Sequence, residues 1–225
     1  MGNLTNDYML KFIPILLKGL GYTVGITLLA FAIALIIGLV AALGKMSKNI
    51  IISNLFSFYI SAFRGTPFYV QLMFIYFALP EIGLKLTAFE ASVLGLALNN
   101  SAYLAEIYRA GIQAVPKGQI EAAKSIGMQH MQMMRRIVLP QAIKNELPSI
   151  GNIAILCLKN SSIAATIAVG EIMYQAQVLA SDTFRYLEVF TLVGIIYWVL
   201  HYPLKSLVDF LEKRGGHRIA RDAKY

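Results

Sequence analysis

The residues best placed to do chemistry are polar side chains set inside apolar runs. Asn99, Asn100 and Ser101 interrupt one run, and Lys159, Asn160, Ser161, Ser162 and Thr166 interrupt another. A polar group in hydrocarbon needs a partner to offset its desolvation, so such residues mark either a solute path or a helix–helix contact. As path residues, the amides and hydroxyls would meet a solute's ammonium and carboxylate, and Lys159 would offer a cation. As packing residues, they would bond neighbouring helices, with Lys159 paired to Glu106 or Glu146. Both readings stand at this level. Glu106 and Arg109, at i and i+3, read as a helix ion pair.

Groupings for catalysis do not converge. No glycine-rich run ends in Gly-Lys-Ser or Gly-Lys-Thr, so no phosphate-cradling loop is visible. His130, His201 and His217 stand apart from one another, with no nucleophile at a useful spacing. The single cysteine, Cys157, sits between Leu156 and Leu158 and reads as a buried, inert thiol. No metal-ligand cluster is present in the sequence, and the chain is not expected to be an enzyme.

These side chains are positioned by a membrane protein. Of 225 residues, 57% are hydrophobic and 14% charged, with a mean hydropathy of +0.62; soluble domains carry roughly 25% charged residues. The run from Gly19 to Gly44 has no charge. It outlasts a signal-peptide core, at about 7–15 residues, and suits a retained helix across about 30 Å of hydrocarbon. Charge-free stretches at 65–80, 91–105 and 189–204 reach spanning length with snorkelling flanks. Five spans are expected, at about 19–44, 65–84, 87–108, 145–169 and 188–210. Residues 50–63, apolar but broken by Ser and Asn, read as an interfacial helix or a lower extension of the second span.

Orientation follows from lysine and arginine. Basic residues crowd 45–64 and 109–144, and six more follow: Lys205, Lys213, Arg214, Arg218, Arg221 and Lys224. Acids gather at 81–90 and 171–188. With the N-terminus outside and the C-terminus cytoplasmic, five spans put every basic loop inside. The net charge of +8 then reports cytoplasmic loops, with no nucleic-acid motif beside it.

One loop, 116–140, has the makings of a compact knob. A helix-forming stretch from Gln119 to Ile126 meets Gly127, free to take positive φ. A second stretch runs from Gln129 to Val138 before Pro140. Ala122 and Ala123 would admit a close partner, and Met128, Met131 and Met134 recur every third residue as an adaptable surface. A plain membrane-surface helix is the competing reading.

The spacing Glu121-Ala122-Ala123, Gly127, Ile137, Leu139-Pro140 resembles the EAA motif of ABC importer permeases. Arg64-Gly65-Thr66-Pro67, Tyr103-Leu104-Ala105-Glu106, Arg109-Ala110-Gly111-Ile112, Pro116-Lys117-Gly118-Gln119 and Thr183-Phe184-Arg185 resemble its polar amino acid branch.

The resemblance implies a permease half of five to six helices; with the five spans counted above, the fold expected is all-α integral membrane, five transmembrane helices with a cytoplasmic helix-turn-helix coupling loop between spans three and four. It implies contact with an ABC ATPase dimer through Glu121, Ala122, Ala123, Gly127, Met128, Met131, Ile137, Leu139 and Pro140. ATP and Mg would reside in that partner, with no cofactor in this chain. It further implies a second permease, identical or paralogous, and an extracytoplasmic solute-binding protein. The setting would be the bacterial cytoplasmic (inner) membrane, with an amino acid carried by alternating access. Members of the family often have an acid where this chain has Ile153 and another where it has Asn160. Their absence points away from a cationic substrate, toward a neutral or acidic polar amino acid or cystine. The reading from another class is a channel or scaffold whose basic loop recruits a partner without ATP-coupled transport.

Overall fold

The structure is a computed structural model that describes residues 2–216, with side-chain surroundings for 10–210. Of the expected basic tail only Lys205 falls among the residues whose side chains are described; Lys213, Arg214, Arg218, Arg221, Lys224 and His217 lie outside them. Among the described residues every regular element is helical. Three helices are long and apolar enough to cross a membrane: Leu20–Lys45, Leu147–Ile167 and Tyr186–Phe210.

Helix α1, Gly2–Leu17, precedes the first expected span and was not anticipated. Its Phe12 and Leu16 pack into a cluster with Ile172, Ala176 and Val189. Helix α2, Leu20–Lys45, is apolar on all sides, and what distinguishes its faces is size. Ala30, Ala34, Gly38 and Ala41 are buried, while Leu28, Ile33, Ile36 and Val40 point outward. Small residues let helix backbones approach in lipid, where apolar side chains gain little by burial. A Cβ on Gly38 would lie 2.8 Å from the Leu104 Cβ of the neighbouring helix.

That neighbour is α5, Ala88–Gln113, the longest contact of α2. Its start is fixed by a capping box: the Glu90 N–H donates to Thr87 Oγ1 at 3.2 Å, and the Thr87 N–H donates to the Glu90 carboxylate at 2.8 Å. At its far end Glu106 accepts from Lys45 of α2 at 2.7 Å and from Arg109 at 2.7 Å. The expected Glu106–Arg109 pair is present, with Lys45 as a third member.

Between α2 and α5 the chain departs from the expected helix over 65–84. Helix α3, Ile50–Gly65, stops where Thr66 and Pro67 become extended. Helix α4, Phe68–Met73, restarts and continues through a π turn, Phe74–Ala78, and a 3₁₀ turn, Leu79–Ile82. Pro67 precedes α4, because a residue before its first turn needs no N–H. Tyr59 of α3 donates to the Leu98 carbonyl of α5 at 2.9 Å, while Phe68 and Leu72 pack beside Gly95. The two pieces therefore flank the two halves of α5, with residues 50–63 forming a helix of their own before the break at Thr66 and Pro67.

After α5 come α6, Lys117–Ser125, α7, His130–Met133, a π turn, Met134–Val138, and α8, Leu139–Asn145. Helix α9, Leu147–Asn160, follows a turn at Glu146 and ends in a 3₁₀ segment, Ser161–Ile167. Helix α10, Ile172–Thr183, occupies a stretch read as loop, and α11, Tyr186–Gly216, closes the described chain.

Glu171, fully buried, caps α10 and ties three helices together. It accepts from the Tyr174 N–H at 2.7 Å, from the Tyr197 hydroxyl of α11 at 2.8 Å and from Thr23 of α2 at 3.4 Å. Burial pushes its carboxyl above the usual glutamate range, and those donors pull it partly back.

Candidate functional site

The break in the α3–α4 helix opens onto a cavity of about 500 Å³. Arg64 to Phe68 form one wall, Asn99, Asn100 and Tyr103 of α5 a second, and Ile153, Leu156 and Asn160 of α9 a third. A broken helix leaves carbonyls without partners, and in a membrane these must be satisfied by protein or water. Gln71 does most of this: its side-chain amide donates to the Phe63 carbonyl at 2.8 Å and to the Thr66 carbonyl at 3.0 Å. Asn99 donates to the Gln71 side-chain oxygen at 3.0 Å and to the Phe63 carbonyl at 3.3 Å.

The expected polar cluster thus divides by task. Asn99 lines the cavity and also braces the break. Asn100 lines it while donating to the Leu96 carbonyl of its own helix at 2.9 Å. Ser101 does not line it; its hydroxyl bonds Tyr59 and the Leu98 carbonyl, which is helix packing. In the second cluster, Asn160 lines the cavity, whereas Ser161 and Ser162 donate back to the carbonyls of Leu158 and Lys159 at 2.7 Å each.

Lys159 differs from the pairing reading. Glu106 is occupied by Lys45 and Arg109, and the ion pairs among the described residues do not include Lys159, which is exposed on α9. Cys157 is buried, as its apolar neighbours imply, with its thiol 3.7 Å from the Thr27 carbonyl.

Arg64, Tyr103 and Gln71 are cavity or brace residues absent from the expected set. The Arg64 guanidinium lies 5.4 Å from the centroid of the Tyr103 ring, a cation–π distance. Among the described residues no carboxylate lines the cavity, and the one formal charge in that lining is Arg64. Ile153 and Asn160, the two positions where the resembled family often has acids, both face this space. The clue in the sequence was Arg64-Gly65-Thr66-Pro67: an arginine, a helix breaker and a proline in an apolar run.

The second candidate surface is the loop between α5 and α9. Gly127 has φ of +76°. The Met128 N–H donates to the Ala123 carbonyl at 3.1 Å and the Gly127 N–H to the Lys124 carbonyl at 2.9 Å, the two bonds of a Schellman cap. A β-carbon there would strain the backbone, so the turn between α6 and α7 depends on glycine. Gln141 of α8 donates to Gln119 of α6 at 2.6 Å and closes the knob.

Its surface is not quite the expected one. Glu121, Ala122, Gly127 and Pro140 are exposed, and Met131 is 75% exposed. Ala123 is buried, so its small size serves packing inside the loop, while Ala122 alone leaves room outside. Met134 is buried beside Met133, Val138 and Ala142, with Met128, Ile137 and Leu139 partly buried against them. The π turn at Met134 shifts the register, so the methionines do not form a single outer stripe. Ile126, 77% exposed, joins Met131 at the tip and was not among the expected contacts.

Comparison with known proteins matches this geometry. Residues 34–216 match the family described as binding-protein-dependent transport system inner membrane component. The chain is 41% identical over 216 residues to the probable amino-acid permease protein YxeN of Bacillus subtilis (strain 168), covering 95% of this chain and 96% of that protein. It is 42% identical to the arginine transport system permease protein ArtQ of the same organism, covering 94% and 97%. A crystal structure of an amino acid ABC transporter with histidines superposes with a TM-score of 0.85 at 44% identity, covering 92% of this chain and 97% of that one. An inward-facing MetNI methionine ABC transporter shares the fold, with a TM-score of 0.75 at 20% identity, covering 91% and 98%. A helical membrane chain with a folded loop between α5 and α9, matched in this way along nearly its whole length, belongs to the binding-protein-dependent transport system inner membrane components, the permeases of ABC transporters whose ATP hydrolysis is done by a separate subunit.

Proposed function

We propose that this chain is one permease half of an importer for a polar amino acid in the bacterial cytoplasmic membrane. In this reading the chain crosses five times: by α2, by the broken α3–α4 helix, by α5, by α9 with its 3₁₀ extension, and by α11. The N-terminus is outside, and the knob between α5 and α9 is cytoplasmic. A second permease, identical or paralogous, pairs with it, and an extracytoplasmic binding protein delivers the solute. Two ATPase subunits, holding ATP and Mg, take the knobs in their clefts, and their closure drives alternating access.

The observation that supports this most is the knob's tip: exposed Ile126, Met131, Ala122 and Glu121 around a glycine-dependent turn. Exposed apolar residues on a folded loop suit a partner surface. Uptake in proteoliposomes with the cognate ATPase tests it. Transport should stop when that ATPase is disabled, and persistence would sink the proposal. Glu121→Arg and Gly127→Pro should uncouple hydrolysis from uptake while the permease still inserts; wild-type coupling in both would count against the knob.

The cavity is the proposed solute site. Arg64 suits an amino acid's carboxylate, and the amide oxygens of Asn100 and Asn160 suit its ammonium. With no carboxylate in the lining, a cationic side chain finds no counter-charge. The expected cargo is a neutral or acidic polar amino acid or cystine. A competition panel should show glutamine, glutamate or cystine displacing transport better than arginine or lysine.

A further inference from the structure

The two walls of the cavity are attached to the cytoplasmic knob in different ways. Helix α5 is pressed directly against it. A Cβ on Gly111 would lie 2.8 Å from the Ala142 carbonyl oxygen of α8 and 2.7 Å from the Glu146 Cγ. Real β-carbons essentially do not come so close to backbone, so the contact exists only because residue 111 has no side chain. The same turn of α5 supplies Ile112, which with Val115 enters the knob's own core of Ala123, Met133, Val138 and Ala142.

Helix α9 shares part of this contact, because Glu146 is its N-cap, and its Ile150 and Ile153 pack with Leu104, Ala105 and Tyr108 of α5. It follows α8 through a turn at Glu146, with φ of −95° and ψ of 7°, and Pro148 in its first turn removes one more backbone donor. The knob therefore meets the α5 wall through close packing, and the α9 wall through a turn that Gly111 also touches.

We propose that Gly111 is a positioning residue for transport: its contact with Ala142 and Glu146 makes α5 the arm that passes knob movement to the cavity. This rests on the reading of the knob as the ATPase contact. From Gly111 the helix runs unbroken to Tyr103, Asn100 and Asn99, a distance of about 12–18 Å at the helical rise. There Asn99 holds the Phe63 carbonyl and the Gln71 side chain, so a shift of α5 is felt at the helix break itself. A packed, rigid element that meets both sites is the physical requirement for such coupling.

The test uses the assembled complex of permease, ATPase and binding protein in proteoliposomes, with a Leu156→Cys reporter on the α9 wall of the cavity. Cys157 is buried and stays silent toward a polar maleimide. In the parent, ATP with vanadate should change the reporter's labelling rate at least five-fold. Gly111→Ala should keep the ATPase bound and hydrolysing but bring that change below two-fold. Gly194→Ala, where an added Cβ meets nothing within 4 Å, should behave as the parent.

A parent-like response in Gly111→Ala overturns the inference. Loss of the ATPase from Gly111→Ala also overturns it, by assigning the residue to docking. If Gly111→Ala does not insert, Glu146→Ala decides: it removes the facing Cγ without adding bulk and should lower the response about two-fold, and no change overturns the inference. A parent with bound, active ATPase and no response removes the knob reading and this inference together, which separates the two failures.

Discussion

Gln71 shows how much one side chain can hold at a helix break. It serves carbonyls on the α3 side and accepts from Asn99, so Gln71→Leu takes the side-chain donor from the Thr66 carbonyl and leaves the Phe63 carbonyl and the Asn99 amide with only each other. Each buried polar group left unsatisfied costs about 1–3 kcal/mol. Thermal unfolding in detergent should show Gln71→Leu markedly less stable than Phe74→Leu on the exposed surface of the same broken helix; equal melting would remove the brace role. Glu171 gives a pH signature. Its folded carboxyl sits above its unfolded value, so its contribution to stability is full below the usual glutamate range and is lost as pH rises through the raised value. Glu171→Gln keeps the shape and removes the titration. The melting temperature of the parent should fall relative to that variant as pH rises from about 4 upward, and parallel curves would refute it. At this scale the sequence was legible by residue type but not by partner: Asn99, Asn100 and Ser101 were found together, yet only the fold separates the brace, the lining and the packing contact.

Elements tell a different story. The start of α5 could be read from local chemistry, since Thr87 and Glu90 form a capping box at three-residue spacing, whereas the helix runs on to Gln113 past the expected end near 108. Thr87→Ala should lower the melting temperature by roughly 2–4 °C, the scale of one lost cap in a chain this long; circular dichroism on heating would detect it. Helix α2 was legible as well, because an uninterrupted apolar run has few alternatives. The break at Thr66 and Pro67 was half legible. Proline marked a helix start, but nothing local shows that α3 lies along the same face of α5 as α4. Helices α1 and α10 were missed because they are short and amphipathic, and their burial comes from each other and from α11. That is long-range packing, which hydropathy along one segment does not register. In the knob, the glycine turn was legible, whereas the inward turn of Ala123 and Met134 came from the Schellman cap and the π turn.

For the whole molecule, the proposed solute site makes selectivity a balance of charge across three helices. The cavity holds Arg64 and no carboxylate, so adding acids at the two α9 positions should invert its preference. Ile153→Glu combined with Asn160→Asp should raise arginine uptake relative to glutamine by tenfold or more in a competition assay. An unchanged ratio would place selectivity wholly in the binding protein. The exposed Lys159 has a consequence at the same scale. It lies past the middle of the Leu147–Ile167 span, facing outward from a single copy. Hydrocarbon is a poor host for an ammonium, at about 2.5–3.5 kcal/mol on insertion scales. In the proposed assembly, an ammonium at this depth would be met by the second permease, by water drawn inward or by thinned lipid, so the bilayer itself would weigh against a protomer that stands alone.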